Sequence, residues 1–144
     1  MRFRTIIAAG SVALSLWGCA AGRSPEPERP VRYIQIRETV EPLVLYATVG
    51  DEVRWQNLRP EPVRIGLLGN EDWTSPGCGK GFSWLGLPRE FVTIKPRDYV
   101  SLCLSRARTL RFNVWMDADD VRGQISPTAT IRVMEKPNDS GGPG

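Results

Sequence analysis

Between Val31 and Glu135 the dominant period of the apolar side chains is two. Val53 and Trp55 alternate with Glu52, Arg54 and Gln56, and Val63, Ile65 and Leu67 alternate with Arg64 and Gly66. Val100, Leu102 and Leu104 flank Ser101 and Cys103, and Leu110, Phe112, Val114 and Met116 flank Arg111, Asn113 and Trp115. A period of two puts one face of a strand on a core and the other in water. No segment carries a period of 3.6, and no internal repeat is present. The pattern predicts about eight strands, near 31–37, 43–49, 52–57, 62–68, 91–95, 99–105, 109–116 and 128–135. Gly50-Asp51, Pro60, Pro96 and the Asp-rich 117–123 stretch separate several of them. Many short strands at this spacing imply an all-β sandwich or barrel.

The first residues follow a different logic. Arg2 and Arg4 precede an uncharged, apolar run over 5–18. That is the layout of an export signal, and fourteen residues are too few for a membrane-spanning helix, which needs about 20. Leu16-Trp17-Gly18-Cys19 resembles the lipobox of bacterial lipoproteins. The resemblance implies cleavage before Cys19, lipidation of its thiol, and further acylation, palmitate included, of the new amine. Several acyl chains give stable anchoring where one is marginal. By the family's sorting pattern, Ala20 directs the chain to the outer membrane, facing the periplasm. The expected organisation is therefore a signal peptide over 1–18 and a lipidated Cys19 with a Pro-rich tether over 19–31. A sandwich over 32–135 and a disordered tail over 136–144 follow.

Within the domain, residues 49–68 (VGDEVRWQNLRPEPVRIGLL) resemble the N-terminal copper-site region of cupredoxins. There a Gly-Asp turn precedes a strand ending in Asn, and a Pro-His pair follows. Residues 109–133 resemble the last two strands of that family, whose loop carries Cys, His and Met. The resemblance implies a Greek-key β-sandwich. It does not carry the chemistry across, because Val63 stands at the first His position, and Val114 or Trp115 at the thiolate position. A blue-copper centre needs two imidazoles and a thiolate with a weak axial ligand. Met116 is a soft ligand without partners, and it continues the apolar stripe from Leu110. No metal and no other cofactor is expected.

Composition narrows the chemistry further. The chain has no histidine, so it lacks the commonest general base and the commonest metal ligand. With no paired acid–base site either, no catalytic residue is assigned and an enzyme is not expected. Two of the 19 basic residues lie in the leader, which leaves 17 against 16 acidic ones. A mature net charge of +1 without a basic run does not point to nucleic acid. Gly79-Lys80-Gly81 is no phosphate loop, which needs a glycine five positions before its Gly-Lys. Asp117, Asp119 and Asp120 match only the opening of a calcium loop, without the required Gly or closing Glu, and read as a solvated turn.

Cys78 and Cys103 remain once Cys19 is set aside. In an exported chain two thiols usually pair, and these lack the C-x-x-C spacing of a redox couple. A structural disulfide is expected. It would pin the one irregular feature, the 22-residue connection over 69–90, which carries Trp73, Lys80, Phe82 and Trp84. Connections this long are often functional. Two readings stay open: the aromatics cap one end of the sandwich, or the loop is a lid that binds a partner. The expected function is a membrane-anchored, non-catalytic module, held by lipid on Cys19, that binds an envelope protein. The alternative is an accessory of a periplasmic electron-transfer or metal-handling system without its own copper centre.

Overall fold

The computed structural model describes residues 28–69, 78–84 and 87–137. The expected leader over 1–18, Cys19, most of the tether, Trp73 and the tail from 138 lie outside the described residues. Eleven strands are present among those described: β1 (Val31–Ile36), β2 (Val40–Glu41), β3 (Val44–Thr48), β4 (Glu52–Asn57), β5 (Val63–Leu68), β6 (Ser83–Trp84), β7 (Leu87–Pro88), β8 (Phe91–Ile94), β9 (Tyr99–Cys103), β10 (Arg108–Trp115) and β11 (Ala129–Met134). The eight strands read from periodicity are all found. The additions are β2, β6 and β7, two residues each, too short to carry a period.

The strands form two layers. One sheet has the order β2-β1-β4-β9, the other β3-β11-β10-β5-β8, and β6-β7 is a separate ribbon. This is the all-β Greek-key sandwich expected from the sequence. Neighbours are antiparallel except at two places: β1 runs parallel to β4, and β3 parallel to β11. A parallel pair cannot be closed by a tight hairpin. The chain therefore changes sheets after β1–β2, passing through a cis Glu41–Pro42 bond into β3.

The core lies between the layers. Ile34 and Ile36 of β1, Val53 and Trp55 of β4, and Leu102 of β9 are buried, as are Ile65, Phe112 and Ile131 of the facing sheet. At its centre the Trp55 ring lies 5.2 Å from Phe82 and 5.5 Å edge-on from Phe112. Edge-on and tilted contacts suit the quadrupoles of such rings.

Two polar residues hold the ends of the layers. Asp51, buried, accepts from the Thr48 N–H and from Arg32 Nε, both at 3.0 Å. It follows Gly50, whose φ of 99° suits the left-handed turn between β3 and β4. Asn57, fully buried, closes β4: its Nδ2 donates to the carbonyls of Glu61 (2.8 Å), Ile94 and Lys95 (both 3.2 Å), and its Oδ1 accepts from Arg59 N–H. One side chain thus satisfies backbone groups from two connections. Replacing it with alanine strands those groups, each at roughly 1–3 kcal/mol if it finds no water. We expect Asn57→Ala to lower the unfolding free energy by about 2–4 kcal/mol in urea titration; a loss under about 1 kcal/mol would show that water replaces the amide.

Candidate functional site

Two places could carry function: the sandwich end where the resemblance puts a metal, and the segment held by the disulfide. At the first, Val63 opens β5, Val114 lies near the end of β10 and Met116 follows it. Val63 and Val114 are fully buried, and Met116 is 5% exposed. The loop above them is zipped to the strands. The Met116 N–H donates to the Gln124 carbonyl (2.9 Å), and the Ser126 N–H to the Val114 carbonyl (2.8 Å). Ser126 Oγ accepts from the Val114 N–H (2.9 Å), and the Ala118 N–H reaches the Pro62 carbonyl (3.1 Å). Backbone groups that could face a ligand are therefore used internally.

These residues do not fit type-1 copper. Valine has no donor atom, the chain has no imidazole, and its two domain cysteines are joined to each other. Among the described residues no three His, Cys, Asp or Glu side chains converge on one point. Asp117 and Asp120 spend carboxylate oxygens on local turns, accepting from the N–H groups of Asp119 and Arg122.

At the second place the sulfurs of Cys78 and Cys103 are bonded, with their Cα atoms 5.8 Å apart. Lys80 lies along the free edge of β9. Its N–H donates to the Ser101 carbonyl (3.0 Å), and the Ser101 N–H returns a bond to the Lys80 carbonyl (2.8 Å). Gly79 and Gly81 permit that approach. Both have φ near 96–97°, and a Cβ on Gly79 would stand 2.7 Å from the Ser101 carbonyl oxygen. An open sheet edge is thus covered by the chain's own loop.

The loop candidates divide. Phe82 is 2% exposed and packs in a tilted contact against Trp55, so it is a core residue, closed to any partner. An aromatic ring next to glycines looks the same in sequence whether it turns in or out. Lys80 stays half exposed and bonds Asp98 at 2.6 Å, with its ammonium 4.3 Å from the centre of the Tyr99 ring. Trp84 contributes backbone to β6, and Trp73 lies outside the described residues. Phe82 therefore behaves as the cap.

Beside Lys80 runs a row of paired charges. Arg54 Nε donates to Glu52 at 2.8 Å and its guanidinium lies 5.1 Å from the Tyr99 ring centre. The hydrogen bond from Arg54 holds the Glu52 carboxyl below its ordinary range, and the one from Lys80 does the same for Asp98. A lowered carboxyl pKa means stabilisation present at neutral pH and lost as the pH falls through that value. The Lys80–Asp98 pair is exposed and the Glu52–Arg54 pair only partly buried, and pairs this close to solvent contribute little.

No protein-family model matches the chain, and no curated protein does. Solved structures of similar shape include variants of amicyanin. A methionine-to-alanine variant in the Cu(I) form is 17% identical, with 74% of this chain and 82% of that one covered, at a TM-score of 0.46. A reduced tryptophan-to-tyrosine variant is 14% identical, with 76% and 87% covered, at 0.47. Likeness at this level passes no property of amicyanin to this chain. The fold rests on the strand order and register above.

Proposed function

We propose that this chain is a lipid-anchored, non-catalytic cupredoxin-like module of the cell envelope, which docks an envelope protein and carries no chemistry of its own. One observation carries the reading: the sandwich end where a copper centre would be built is packed with Val63, Val114 and Met116 and sealed by backbone hydrogen bonds. What remains is a rigid scaffold, stapled at Cys78–Cys103, that offers surfaces. The sequence features that support anchoring are the apolar leader and Cys19.

Cell fractionation tests the anchor. Wild-type protein should sediment with membranes and yield an acylated N-terminal peptide by mass spectrometry, whereas Cys19→Ser should shift to the soluble fraction. A Cys19→Ser protein that stays on membranes washed in 1 M salt, which strips electrostatic adsorption, would overturn the assignment. Docking is tested by native electrophoresis after mild extraction. A slower-migrating complex is expected, and a bare monomer at native abundance counts against it. Copper titration of the purified chain should reach no stoichiometric binding; one equivalent of tightly held copper would sink the non-metal reading.

A further inference from the structure

The pleat sends alternate residues of the five-stranded sheet away from the core, and this outward face has an unusual composition. The pairing register lines up Tyr46, Arg132 and Thr109 in one row, and Val44, Thr130, Arg111 and Leu68 in the next. Beyond them Gly66 lies between Asn113 and Phe91, and Arg64 between Trp115 and Thr93. No outward position of these strands is Asp or Glu. Arg64, Arg111 and Arg132 have no carboxylate partner among the described residues, in contrast to Arg54 and Lys80 on the other side of the molecule.

The same face is rich in exposed carbon. Tyr46 is 56% exposed, Phe91 and Met134 52%, Val44 46% and Leu68 39%. The rings of Phe91 and Trp115 meet 5.8 Å apart over Gly66. A Cβ there would stand 2.6 Å from the Trp115 ring and 2.8 Å from the Phe91 ring. Glycine lets both rings lie down across the strand, so the surface is broad and low.

We propose that this face rests on an anionic lipid surface, with the three guanidinium groups among headgroup phosphates and the apolar and aromatic side chains at the level of the upper acyl carbons. Guanidinium matches phosphate oxygens in bidentate geometry. Aromatic rings favour the membrane–water interface, and apolar area gains by leaving water. The carboxylate-free charge is complementary to an anionic bilayer. Val44, Leu68 and Met134 would gain nothing from a nucleic-acid backbone. The proposal deepens the anchored-module reading: residues 20–30 span at most roughly 35–40 Å, so lipid on Cys19 would keep the face within reach of the bilayer. It would also leave the Lys80–Tyr99 side of the domain turned towards a protein partner.

The test is hydroxyl-radical footprinting of the full chain, free and with vesicles of phosphatidylcholine alone or with one-third phosphatidylglycerol. Tyr46, Phe91 and Met134 report the proposed face; Tyr33, 44% exposed on the other sheet, is the internal control. Severalfold protection of the three reporters, and not of Tyr33, is expected only with the anionic vesicles. It should vanish in 1 M salt, where charges are screened beyond about 3 Å. The triple variant Arg64→Gln, Arg111→Gln, Arg132→Gln should lose it, at roughly fivefold in partitioning per arginine. Arg106→Gln with Arg122→Gln, in loops between strands, should not. Thermal unfolding confirms that each variant is folded. Equal labelling of both faces, equal protection by neutral vesicles, or protection without vesicles (a second copy covering the sheet) would each overturn the proposal. A chain that fails to sediment with neutral vesicles refutes only the anchor, because the footprint with anionic vesicles is scored separately.

Discussion

Trp55→Ala is expected to destabilise the domain by about 3–5 kcal/mol, the largest effect of any single substitution here. Trp55 is fully buried and sits between Phe82 of the stapled segment and Phe112 of the facing sheet. Alanine removes the apolar area of the indole and leaves a cavity that three elements would have to collapse into. It also ends two ring contacts, each contributing roughly 0.5–1.5 kcal/mol. A domain of this size has only about 5–15 kcal/mol in all, so the variant should unfold at much lower urea. Trp55→Phe should lose far less. The indole Nε1 is buried without a hydrogen-bond acceptor among the described residues, and a phenyl ring removes that orphan donor while keeping most of the packing. Equal losses for the two variants would refute this account of the centre.

Breaking Cys78–Cys103 is expected to be nearly as costly. The bridge spans a sequence separation of 25, and closing such a loop constrains the unfolded chain by roughly 3–4 kcal/mol in the chain-entropy model. The double variant Cys78→Ser, Cys103→Ala should therefore melt roughly 15–25 °C lower. Alanine is chosen at Cys103 because that side chain is 3% exposed, where a hydroxyl would need a partner. Wild-type protein in reductant should show the same fall. A drop under about 3 °C would mean that Lys80–Ser101 pairing and Phe82 burial hold the segment without the sulfur bridge.

Much of this molecule is legible in the chain. Alternation located all eight long strands, because inward and outward environments are imposed residue by residue on a pleated backbone. The Gly50-Asp51 turn and the Asn at the end of β4 were visible too, although not the reach of Asn57 to Glu61, Ile94 and Lys95. Phe82 was ambiguous for a physical reason: glycine-rich loops have no period, so nothing local says which way a ring turns. The outward face of the larger sheet is not legible in the sequence for another. Its arginines come from β5, β10 and β11, and no stretch of sequence contains the cluster.

By itself, then, the sequence determined the class of fold and the chemistry that is closed to this protein. Periodicity is a local property, and the absence of histidine excludes a blue-copper centre however the strands are arranged. Only the tertiary structure decided that β1 lies parallel to β4 and β3 to β11, that Phe82 seals the core, and that three arginines with no carboxylate partner among the described residues share one outward sheet face. Strand pairing is chosen by contacts between distant segments, and a surface belongs to the sheet and not to any one of its strands.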